Sequence, residues 1–158
     1  VKQFERESPE YVLFHSFFKH NIQFIIVGLS SAVIQGAHVS TQDVDLWIKG
    51  LGSENFVTAM KEAGGFYIPP SQMGYNPPLI GPDEKFGIFD LVVKMNGLED
   101  FDSEYQNCKV VELCDLPVRI LPLERIIVSK KAANRQKDNA VIPQLEATIL
   151  VNKNRTKI

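Results

Sequence analysis

The chain has 158 residues, 44% of them hydrophobic and 23% charged, with a formal net charge of −2. A chain of this length buries roughly 68–70% of its unfolded surface, so residues 1–158 suit one globular domain with its own core. The weak net charge excludes the strong basic field of a dedicated DNA binder, and no apolar run reaches the ~20 residues that a membrane-spanning helix needs.

In chain order, Ser8-Pro9-Glu10 reads as an N-cap, a first-turn proline and an early acid. A helix over about 9–20 follows, with Tyr11, Leu13, Phe14, Phe17 and Phe18 on its buried stripe. Residues 22–27 form a short strand, apolar on both faces. A helix over 30–35 is closed by Gly36. A second strand covers 44–48. Ser53 then caps a helix running to about residue 63, with Phe56, Val57 and Met60 on its apolar face.

Residues 66–68 make a short strand. Residues 69–82 are rich in proline and read as a long loop, placed to cover an acceptor, with Tyr75 at its surface. The apolar run 86–93 reads as a strand interrupted by Asp90. A short helix over 100–106 and strands over 109–113 and 117–120 come next. The C-terminal helices span about 122–133 and 136–151, the second kinked or broken near Pro143, and the polar tail from Asn152 reads as frayed. Strands mixed with helices predict an α+β domain: a twisted mixed sheet flanked by helices. Cys108 and Cys114 read as reduced thiols of a cytoplasmic protein.

The chemistry concentrates in two stretches. Asp43 and Asp45 stand two apart at the start of an apolar strand, a spacing that puts both side chains on one face. At ~4 Å two carboxylates repel by about 4 kcal/mol in an effective dielectric near 20. A divalent cation is the simplest offset, and Asp90, also set among interior-seeking neighbours, completes a three-carboxylate set. Hard cations such as Mg²⁺ or Mn²⁺ take such oxygens and share them with substrate phosphates. Upstream, Gly28 ends a strand, where backbone can approach a ligand closely. The Ser30 and Ser31 hydroxyls and the helix start beyond it suit a phosphate. Of the basic run Lys130, Lys131, Arg135 and Lys137, we read Lys130 and Lys137 as a solvated helix face, and Lys131 and Arg135 as phosphate contacts.

Together, Val27-Gly28-Leu29-Ser30, Asp43-Val44-Asp45-Leu46, Phe89-Asp90-Leu91 and the Arg135-Gln136-Lys137-Asp138 run resemble the nucleotidyltransferase superfamily with the DNA polymerase β-type catalytic fold. The nearest resemblance is to small prokaryotic members related to toxin–antitoxin and abortive-infection nucleotidyltransferases. It implies that Asp43, Asp45 and Asp90 ligate the metal and that Asp90 also serves as base. It implies that Gly28 and Ser30 touch the triphosphate of an NTP, and that a nucleoside monophosphate passes to a hydroxyl on a small molecule, a protein or a tRNA. Two positions depart from the pattern: Leu29, where glycine or serine is usual, and Val39, where close relatives often carry arginine. These departures keep open an alternative, a weakly catalytic nucleotide-binding or interaction module on the same fold.

Overall fold

A computed structural model of the chain describes residues 6–74 and 76–156. Tyr75 lies outside the described residues. The elements in chain order are α1 (Pro9–Lys19), β1 (Phe24–Val27), α2 (Gly28–Ile34), β2 (Val44–Ile48), α3 (Glu54–Glu62), β3 (Phe66–Ile68), β4 (Leu79–Gly81), α4 (Asp83–Phe86), β5 (Phe89–Val92), α5 (Phe101–Asn107), β6 (Lys109–Leu113), β7 (Leu116–Ile120), α6 (Leu123–Ala133) and α7 (Gln136–Arg155).

The unbroken apolar run of β1 is buried at all four positions because β1 is the central strand. The sheet has the order β5-β2-β1-β7-β6. It is mixed: β1 runs antiparallel to β2 and parallel to β7, β2 runs parallel to β5, and β6 runs antiparallel to β7. Alternation along the strands sends side chains to two separate cores. Phe24, Ile26, Leu46, Ile48, Phe89 and Ile120 pack with Leu13, Phe14 and Phe17 of α1 and Phe56 and Met60 of α3. On the opposite face, Ile25, Val27, Trp47 and Val92 pack with Ile126 and Ile127 of α6 and Ile142 and Leu145 of α7. Asp45 and Asp90 alternate with the first set, so they point toward the face covered by α6 and α7.

Several elements differ from the sequence expectation. The strand expected over 86–93 is confined to Phe89–Val92, because Asp83-Glu84-Lys85-Phe86 forms a helical turn with two acids at its start and Phe86 buried. Within the expected loop over 69–82, Leu79–Gly81 pairs antiparallel with β3, burying Ile80. The α7 helix is neither broken at Pro143 nor frayed from Asn152. Buried Ile142 and Leu145 hold it against the sheet on both sides of the proline, and Asn152 Nδ2 donates to Gln35 O at 2.9 Å, anchoring the last turns. The first helix ends at Lys19, with His20 as its C-cap.

Candidate active site

The acid end is built where β1, β2 and β5 lie side by side. Val27 pairs with Asp45, and Asp45 pairs with Asp90 across parallel strands, so the two carboxylates leave the same face at adjacent positions. Asp43 sits just before β2, where Thr41 Oγ1 donates to its carbonyl at 3.1 Å. The expectation of three buried acids is corrected here. Asp45 is half-buried, while Asp43 and Asp90 are exposed; Asp43 and Asp45 line a cleft, and Asp90 lies beside Asp45 outside its lining.

The charges remain poorly compensated. Burial, then Asp90 and Asp43, push the Asp45 carboxyl up to about 6, and Lys130 only partly offsets this. Asp90 is also raised, by burial and by Asp43. Gly28 meets two demands at this point. Its φ of +61° favours glycine, and a Cβ there would stand 2.5 Å from Asp45 Oδ2.

The two serines do not face the opening. Ser30 Oγ donates to Val27 O at 2.8 Å and accepts from Asp45 N–H at 3.1 Å, so it fixes the backbone that carries Asp45. Ser31 Oγ donates to Leu121 O at 2.7 Å and accepts from Gln35 Nε2 at 3.1 Å. Gln35 Oε1 in turn accepts from Leu123 N–H, which ties α2 to the start of α6. Both hydroxyls are buried and engaged within the fold.

A cleft of about 440 Å³ opens between the acid end and the α6–α7 pair. Gly28, Leu29, Asp43 and Asp45 line one side, Lys94, Met95 and Asn96 line another, and Lys130, Arg135, Lys137 and Asp138 line the helical wall. The helical wall exists because Asn134, in the left-handed conformation that asparagine tolerates, turns α6 tightly into α7. Asp138 in the first turn of α7 then meets Lys130 in the last turn of α6, at 3.2 Å from Nζ. Arg135 Nε donates to Asp138 Oδ2 at 2.6 Å and Nη2 to Oδ1 at 3.2 Å. Burial pushes Asp138 up, but the hydrogen bonds from Arg135 and Lys130 outweigh it and hold the carboxyl below its usual range.

Of the residues expected at the site, Gly28, Asp43, Asp45 and Arg135 line the cleft, and Asp90 does not. Of the lysines, Lys130 and Lys137 line the cleft, whereas exposed Lys131 lies outside it, paired with Glu146 at 3.7 Å. Lys94 and Gln35 were missed. The polar residues just beyond the second acidic strand were the available signal for Lys94. Val39 packs against the core on the α6–α7 side. Cys108 and Cys114 are free thiols, pushed by burial up to about 12 and about 11, far from a reactive thiolate.

No protein-family model matches the chain, and no curated protein matches it. Among solved structures, it is similar to the solution structure of the antibiotic-resistance factor ANT(2'')-Ia, an aminoglycoside nucleotidyltransferase. The match covers 96% of this chain and 93% of that one, with a TM-score of 0.54 and 13% identity. The fold is nucleotidyltransferase-like. At that identity the likeness concerns the path of the chain alone. The acid end sits on the strands of this shared fold, and the described helices include none long and apolar enough to cross a membrane.

The donor chemistry of the acid end suits a hard divalent cation. It offers only carboxylate oxygens, on adjacent strands, with mutual repulsion that a cation would relieve. Among the described residues no three His, Cys, Asp or Glu side chains already form a cage for an ion. Mg²⁺ does not require one, since it is usually held by one or two carboxylates plus water and substrate phosphates.

Proposed function

We propose that the chain is a metal-dependent nucleotidyltransferase that moves a nucleoside monophosphate from an NTP to a hydroxyl of an acceptor. The observation that supports it most is that Asp45, beside Gly28, lines a cleft whose other wall is basic and pairs with Asp90 on the adjacent strand. In this reading Asp43, Asp45 and Asp90 hold Mg²⁺ or Mn²⁺. When bound, such an ion lowers the pKa of an attacking oxygen and neutralises developing phosphate charge.

The chain's own residues do the rest. Gly28 leaves room for the Asp45 carboxylate at the strand end. Arg135 and the lysines of the helical wall orient the phosphates. Asp90, exposed on the strand beside Asp45, accepts the proton of the acceptor hydroxyl as its oxygen bonds to the α-phosphorus. The bond from that phosphorus to its bridging oxygen breaks, and pyrophosphate leaves. Positioning and fixed charge supply most of the rate in such transfers.

The alternative is a nucleotide-binding or interaction module with little catalysis, of the kind found in a toxin–antitoxin pair. The inward-turned Ser30 and Ser31 hydroxyls and Leu29 at the phosphate end favour it. Incubation of the protein with α-labelled NTPs, Mg²⁺ and native cell extract separates the two. Transfer of label that is abolished in Asp43→Asn/Asp45→Asn is the expected result. Equal labelling by the double variant would refute the metal-site assignment, and nucleotide binding without any labelling would favour the module.

A further inference from the structure

Asp138 is only 2% exposed although it lines a cleft, and it holds two cations, Lys130 and Arg135. A buried ion pair is a poor device for stability alone, since well-packed apolar side chains of similar volume often serve as well. Its geometry is more informative. The guanidinium of Arg135 has five N–H donors and directs two of its nitrogens at Asp138. The ammonium of Lys130 has three donors and gives one bond to the same carboxylate. Both cations therefore keep donors for a ligand, and two positive charges on one carboxylate leave an excess of one at the wall. Arg135 is 60% exposed and reaches into the opening. Lys130 is 15% exposed and lies between the acid end and Asp138, close enough for its charge to act on Asp45.

We propose that Asp138 is a positioning residue for phosphate recognition: it fixes Lys130 and Arg135 in the cleft wall, with donors left over for the phosphate oxygens of a nucleotide. This rests on the nucleotide-transfer reading, yet it concerns a polyphosphate grip that works without the metal. Without Asp138 the two side chains would pay rotamer entropy at each binding event and would repel one another.

Calorimetric titration with inorganic tripolyphosphate in EDTA tests it. The parent is compared with Asp138→Asn, Lys130→Met, Arg135→Met and the double variant Asp138→Asn/Arg135→Met. Lys61→Met on α3, which packs on the opposite face of the sheet, controls for loss of one charge. The parent binds, and each single variant binds about tenfold more weakly, the loss expected when one charge-assisted hydrogen bond goes. The double variant loses less than the product of the two single losses, because part of what Asp138→Asn costs is the hold on Arg135. Lys61→Met is unchanged, and Asp138→Glu recovers part of the affinity. A merely structural role would lower the melting temperature of Asp138→Asn and leave the affinity of its folded fraction intact.

Unchanged affinity in the single variants, losses that multiply in the double, or no binding by the parent would each overturn the proposal. Should Asp138→Asn not fold, Lys130→Met and Arg135→Met still decide it. Tripolyphosphate binding without NTP labelling would remove the transfer reading and keep the grip. Labelling with unchanged affinities would do the reverse.

Discussion

Asp45→Asn should make the protein more stable at neutral pH while removing the proposed metal site. The folded carboxyl sits at about 6 against an ordinary 3.8, with burial the largest cause and Asp90 and Asp43 the next. A pKa higher in the folded state means that the folded protein binds more protons between about pH 4 and 6. Stability from this group is therefore lost as pH rises through that window and stays lost above it. At about 1.36 kcal/mol per pKa unit the ceiling is roughly 3 kcal/mol. The carboxylate is partly open to the cleft, so solvent screening reduces this to about 1–2 kcal/mol. In a domain of this size that raises the melting temperature by about 2–8 °C. Thermal unfolding of parent and variant in EDTA at pH 8 and pH 4 measures it: the variant should melt higher at pH 8, and the difference should close at pH 4. Saturating Mg²⁺ at pH 8 should then stabilise the parent, by about 2.7 kcal/mol at a hundredfold excess over Kd, and leave the variant unmoved. A variant that melts lower than the parent at pH 8, or by a margin that does not change with pH, would refute this account of Asp45.

Gly28→Ala places an L side chain at φ +61° and a Cβ 2.5 Å from Asp45 Oδ2. The backbone term alone costs roughly 1–2 kcal/mol, and the displaced carboxylate should abolish the stabilisation by Mg²⁺; melting curves with and without MgCl₂ check both.

The legible parts of the sequence were those where one local rule dominates. The β1 run, the Ser8 and Ser53 caps and the Val44–Ile48 strand were readable because periodicity and side-chain capping act within a few residues. The pairing of Asp45 with Asp90 is a matter of register between strands forty-five positions apart, and a linear reading could only suppose it. The burial of Asp90 was misjudged for a physical reason. Its apolar neighbours Phe89 and Leu91 face one core, whereas Asp90 alternates to the other face, where it is exposed. Which lysines line the cleft was not legible because it depends on where Asn134 turns α6 into α7. That turn aims Lys130 at Asp138 and Lys131 at Glu146 on the exposed side.

This division explains how two halves of opposite charge are held apart at a working distance. The acid half is carried by the sheet, and its spacing is set by backbone hydrogen bonds that no side-chain change can easily alter. The basic half is carried by α6 and α7, whose position relative to the sheet depends on Ile126, Ile142 and Leu145 packing against Ile25 and Val27. Unneutralised, the two halves would attract, and Lys130 could collapse onto Asp45. Asp138 competes for that lysine from the helical side with a buried carboxylate already paired to Arg135. The cleft stays open because the basic wall is satisfied from behind by Asp138, while the strand backbone, with Ser30 accepting from Asp45 N–H, holds the uncompensated carboxylates of the acid wall in place.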